Sequence, residues 1–175
     1  FILEAEGMTA DEEVLQLLAR RAAGSLRDSQ SLLEQLLSFG DGHLTIADVH
    51  TMLGTAPAGR LAEIVQHLIE RDAASALADV ESAVGEGIDV GQFAEQLLGY
   101  FRDMMAAQVG CDADLMLHSA PADYPGLRDA GQQMGLQTIL AVVQIIDQAV
   151  TRMRQSTHVR TLLEVALVQI ASLDE

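Results

Sequence analysis

Arg27 is the residue whose type and placement point most clearly to chemistry. It lies in the stretch GSLRDSQSLLEQLLSFGDG, residues 24–42. Ser25 suits a helix N-cap, and Asp28 three residues later suits the reciprocal position of a capping box. Arg27 therefore falls on the first helical turn, where the partial charge of the helix is positive and a cation costs roughly 0.3–1 kcal/mol. The same place, with free amides and a guanidinium, is suited to a phosphate. Two readings stand side by side: an anion ligand, or a solvated arginine screened by Asp28.

Other chemistry is thinly represented. No G-x-x-x-x-G-K-[ST] phosphate loop occurs, so the sequence does not hold a complete catalytic ATP site. The histidines, His43, His50, His67, His118 and His158, lack the spacing of metal ligands and read as surface or cap residues. Ser25, Ser38 and Ser119 have no adjacent base, and Asp41-Gly42 and Cys111 to Asp114 lack the twelve-residue calcium-loop pattern. Neither a catalytic residue nor a metal ligand is assigned. Cys111 is the single cysteine, which rules out an internal disulfide and fits a reducing, cytoplasmic setting.

The elements that must position Arg27 are helices. Val14, Leu17, Leu18 and Ala22 recur at helical spacing over residues 12–23, with Thr9 as a candidate cap. Leu26, Leu32, Leu33, Leu36 and Leu37 give the next helix an apolar stripe, and Gly40 is expected to close it. Thr45 and Asp48 form a second capping-box pattern before a short helix ending at Leu53-Gly54. The glycine- and proline-bearing segment GTAPAG, residues 54–59, marks a boundary. The expected division is therefore 1–54, a linker over 55–59, and a larger helical domain over 60–175.

In that larger part, residues 61–69, 73–84 and 90–109 carry helical stripes, the last facing inward through Phe93, Leu97, Phe101 and Met104. Residues 110–135, rich in glycine and holding Pro121 and Pro125, read as a loop with one short helix near Ala113. Residues 136–154 and 158–173 are helices apolar on more than one face, suited to a central place and to contact with a neighbouring subunit.

Composition narrows the function classes. Apolar residues are 49% but aromatics only 3%, so the core is aliphatic and the fold class is all-α. Ten basic against twenty-six acidic residues leave a formal charge of −16, which repels nucleic acid and anionic membranes. No run reaches the roughly 18 apolar residues of a membrane span. The chain opens on Phe1, and FILEAEGM reads as the tail of a helix, so an excerpt from a longer protein is expected.

The stretch LLARRAAGSLRDSQSLLEQLLSFGDGHLTIADVHTMLG resembles the lid of the gamma/tau subunit of the bacterial DNA polymerase III clamp loader, an AAA+ ATPase. The pattern is a helix, G-S-[LM]-R-D, a leucine-bearing helix, G-D-G and a short helix ending M-L-G, matched over residues 15–54. Ser29-Gln30 departs from the usual Ala-Leu. The following 120 or so residues resemble the family's collar in position, length and helical content. The resemblance implies that Arg27 is the sensor 2 arginine, reaching the terminal phosphate of ATP, with magnesium, held by a nucleotide-binding domain outside this chain. It implies a collar that joins delta, delta prime and other gamma/tau copies in a ring and receives a small accessory subunit. The sliding clamp and primed DNA would be met through the other domains. The chain alone is then expected to bind neither ATP nor DNA and to have no activity of its own. Two alternatives remain: the lid and oligomerisation region of another AAA+ ATPase, and a stand-alone helical interaction module.

Overall fold

A computed structural model describes residue 3 and residues 7–22, 24–38 and 42–173, and the expectations for Gly40, Asp41 and most of FILEAE lie outside these. The architecture is all-α apart from one two-residue strand pair, and the chain divides into two compact units, Phe1–Thr55 and Ala56–Glu175.

The first unit orders β1 (Thr9–Ala10), α1 (Glu12–Ala22), α2 (Leu26–Leu37), β2 (His43–Leu44) and α3 (Ile46–Leu53). The strands run parallel, with Thr9 opposite His43 and Ala10 opposite Leu44. Thr9 is thus a strand residue and not the helix cap; the Asp11 carbonyl takes the first amide of α1, from Val14 at 3.0 Å. The three helices enclose Val14, Leu18, Leu36, Leu44 and Val49. The expected stripe on α2 holds at Leu32, Leu33 and Leu36, which belong to this core, but Leu26 is 74% exposed. Leu26 lies two turns before Leu33 on nearly the same side of the helix, so its exposure marks where the packed contact ends, at the first turn of α2. On α3 the Thr45–Asp48 capping box closes in both directions. At its other end Gly54, at φ +61°, supplies the left-handed residue of a Schellman motif. The amide of Thr55 reaches the His50 carbonyl at 3.0 Å, and that of Gly54 reaches Thr51 at 3.4 Å.

The second unit contains α4 (Ala58–Ile69), α5 (Ala73–Gly85), α6 (Val90–Gln108), two short 3-10 turns at 113–115 and 121–123, α7 (Tyr124–Met134), α8 (Leu136–Met153) and α9 (Val159–Ala171). Helix α6 is central: it packs on α7, α8 and α9 and buries Phe93, Leu97, Phe101 and Met104. Helix α7 departs from the loop reading of residues 110–135. Pro125 falls in its first turn, where no amide is needed, so it does not break the helix. Gly131 is used for close approach: a Cβ there would lie 3.3 Å from both Met104 Cγ and Gln108 Oε1. The chain then turns by 102° at Gly135 into α8. No single helix among the described residues is long and apolar enough to cross a membrane.

Candidate functional site

The first turn of α2 is built by local rules. Gly24 takes a left-handed φ of +83°, which brings the Ser25 amide back to the Ala22 carbonyl at 2.8 Å and closes the end of α1. Ser25, in extended backbone, then accepts from the Asp28 amide through its hydroxyl at 3.2 Å. The capping is one-sided, because the Ser25 amide is already committed to Ala22 and so is not available to Asp28. Ser29 returns its hydroxyl to the Leu26 carbonyl at 2.8 Å. Arg27 projects from this turn into solvent and has no hydrogen-bond or ion-pair partner among the described residues. Screening by a contact with Asp28 is therefore not what stabilises its charge. An exposed, unpaired guanidinium on a positively polarised helix end suits an incoming anion.

Nearby, α1 ends on Arg20 and Arg21, cations that complement its negative C-terminal end. Arg20 Nε is buried with no hydrogen-bond partner among the described residues. Burial, and then the charge of Arg21, hold the His50 imidazole below its ordinary pKa; its Nδ1 lies 2.9 Å from Thr55 Oγ1.

Several histidines acquire partners that sequence spacing does not show, because the partners arrive from other elements. His43 bridges Thr9 Oγ1 at 2.7 Å and Asp11 Oδ1 at 3.1 Å across the strand pair. His67 on α4 meets Asp79 on α5 at 2.8 Å. Each joins two secondary-structure segments, a bridging role that the surface-or-cap reading did not include.

The second unit contains a charged site that sequence reading missed. Asp103 on α6 is 0% exposed. Its Oδ1 accepts from Arg102 at 2.8 Å and from the Leu117 amide at 3.0 Å, and its Oδ2 from the amides of His118 and Ser119 at 2.8 and 2.7 Å. Burial pushes the Asp103 carboxyl up, but the Arg102 bond and the three amides together outweigh it and hold the group below its ordinary pKa. The site fastens the 115–119 segment to α6. One turn earlier Gly99 admits the His118 ring, to which a Cβ would come within 2.6 Å. The available signal was an acidic residue at an inward-facing position, between Phe101 and Met104.

Comparison with known proteins places these features. Residues 44–175 match the family described as DNA polymerase III subunits gamma and tau domain III. Residues 1–42 match the DNA polymerase III clamp loader subunit, ATPase lid domain. The gamma/tau subunit of Mycobacterium bovis is 32% identical over 172 residues, covering 97% of this chain and 30% of that protein. The tau subunit of Bacillus subtilis is 26% identical over 169 residues, again covering 97% and 30%. The chain therefore spans under a third of the length of these relatives. Among solved structures, the Bacillus subtilis DNA clamp loader delta protein shares the fold, with a TM-score of 0.58 at 16% identity over 98% of this chain and 54% of that one.

Proposed function

Because the chain belongs to the DNA polymerase III gamma and tau subunit family, we propose that it forms the nucleotide-sensing lid and the assembly collar of an ATP-driven sliding-clamp loader. In this reading residues 1–54 act as the lid and 60–175 as the collar, with the short segment 55–59 joining them. The observation that carries it is the exposed, unpaired Arg27 on the capped first turn of α2, within the segment matched as an ATPase lid.

Bound with magnesium by another part of the longer protein, ATP supplies a terminal phosphate that is present before hydrolysis and gone afterwards. The residues here fit a contact to that group, since Arg27 is accessible, permanently charged and paired with no carboxylate among the described residues. Ser25 fixes the first turn, and Val14, Leu36, Leu44 and Val49 fix the helix within the unit. A gain or loss of the Arg27 contact is thereby delivered to the whole helical unit and not absorbed by one side chain. The collar role draws on α8 and α9, which leave Leu140, Val165 and Val168 exposed after filling their own core. Neighbouring gamma/tau copies, delta, delta prime and a small accessory subunit are the partners this reading assigns. The sliding clamp and primed DNA are met by the remaining domains.

The test is Arg27→Ala in the complete subunit. We expect ATP-dependent clamp loading to fall about tenfold or more, corresponding to a lost charge-assisted contact of about 1.5–3 kcal/mol, with the assembled ring unchanged on gel filtration. Loss of the ring would assign Arg27 a structural role instead.

A further inference from the structure

We infer that Thr55 is a single-residue pivot between the two compact units, the one residue at which peptide hydrogen bonding passes from one to the other. On the near side, the Gly54–Thr55 peptide is fixed to the first unit. Its amide hydrogen, on Thr55, is held by the His50 carbonyl at 3.0 Å as the outer bond of the Schellman motif. On the far side, the Thr55–Ala56 peptide is fixed to the second unit. The Ala56 amide donates to Gln96 Oε1 at 2.8 Å, and Gln96 Nε2 donates back to the Ala56 carbonyl, also at 2.8 Å. One carboxamide thus clamps both peptides flanking Ala56 to α6. Pro57 follows, with φ at −61°, which restricts Ala56 to extended backbone and leads directly into α4.

Between the last peptide held by the first unit and the first peptide held by the second there is one residue and therefore two soft torsions. The hydroxyl of that residue lies 2.9 Å from His50 Nδ1, a bond that restrains φ from the side of the first unit and leaves ψ the softer of the two. A segment with the composition of a loose linker is in this way reduced to a joint of one residue. Hinges of this kind absorb a domain rotation in a few backbone angles. The inference goes beyond the clamp-loader reading and rests on hydrogen bonds that each lie within one unit.

The test combines amide exchange with distance measurement on the 175-residue chain. Spin labels are placed at Ala19→Cys and Ala78→Cys, both exposed, in a Cys111→Ser background. The Ala56 amide is expected to exchange slowly, and Gln96→Ala to accelerate it about tenfold while widening the interlabel distance distribution. Thr55→Gly, which frees the two torsions, is expected to widen that distribution and leave the Ala56 amide protected. Three glycines inserted between Thr55 and Ala56 give the width that true slack produces. Circular dichroism checks that each variant is folded; should Gln96→Ala fail to fold, the unsubstituted chain and Thr55→Gly decide the matter. An unprotected Ala56 amide in the unsubstituted chain, or a distribution already as wide as that of the glycine insertion, would overturn the pivot. Neither measurement involves nucleotide, so failure here leaves the Arg27 reading standing, and the reverse.

Discussion

At the scale of single residues, Asp103 and Arg27 use charge in opposite ways. Asp103 carries its charge into the interior, where four donors surround it; Arg27 keeps its charge outside, with no partner among the described residues. Replacing Asp103 with Ala leaves three amides without their acceptor, and we expect a loss of about 3–5 kcal/mol in urea unfolding. The pH dependence follows from the direction of its shift. The folded carboxyl titrates below the unfolded one, so its stabilisation is complete above the unfolded value of about 3.9 and disappears as pH falls through the folded value. Asp103→Asn should accordingly flatten the acid limb of the stability curve relative to the unsubstituted chain. None of this was legible beforehand, since a lone aspartate on an apolar helix signals burial but not the three amides from residues 117–119 that justify it. The placement of Arg27 on a capped first turn was legible, because caps and first-turn positions depend on neighbours within four residues.

At the scale of elements, the clearest lesson concerns residues 110–135. Glycine and proline read as breakers in sequence, yet Pro125 occupies the one turn that tolerates it and Gly131 lets α7 approach α6. Composition alone does not separate a glycine that ends a helix from one that admits a neighbour, and the distinction depends on tertiary contact. Gly99 belongs to the second kind and yields a sharp expectation. Gly99→Ala ordinarily gains about 0.5–1 kcal/mol in a helix interior, but here the new Cβ meets the His118 ring, whose backbone is tied to Asp103. We expect a net loss of about 1–3 kcal/mol by thermal unfolding, most of it removed when His118→Ala is added. A loss unaffected by the second substitution would show that the ring is not what the methyl meets. By contrast, the inward faces of α6 and the capping box of α3 followed from periodicity and spacing, because a buried stripe and a local cap specify themselves.

At the scale of the whole molecule, sixteen excess negative charges work against compaction. Exposed pairs such as Arg60 with Glu86, Arg160 with Glu81, and Arg154 with Glu95 offset part of this, each worth up to about 1 kcal/mol. Salt weakens both effects, but the twenty-six acidic residues far outnumber the ten basic residues that could pair with them. Raising sodium chloride from about 20 to 300 mM, which shortens the screening length from roughly 20 to 6 Å, should therefore stabilise the chain by about 1 kcal/mol, or about 2–4 °C in Tm. A fall in Tm over that range would mean that the ion pairs dominate. The strand pair and α3 carry one more consequence. The two matched families meet between residues 42 and 44, whereas Leu44 and Val49 complete the core built by α1 and α2. The segment that sequence families delimit and the segment that folds therefore differ by about a dozen residues. A chimera grafting a relative's lid at residue 43 would divide a hydrophobic core between two parents, whereas a graft at Gly54 would transfer it whole.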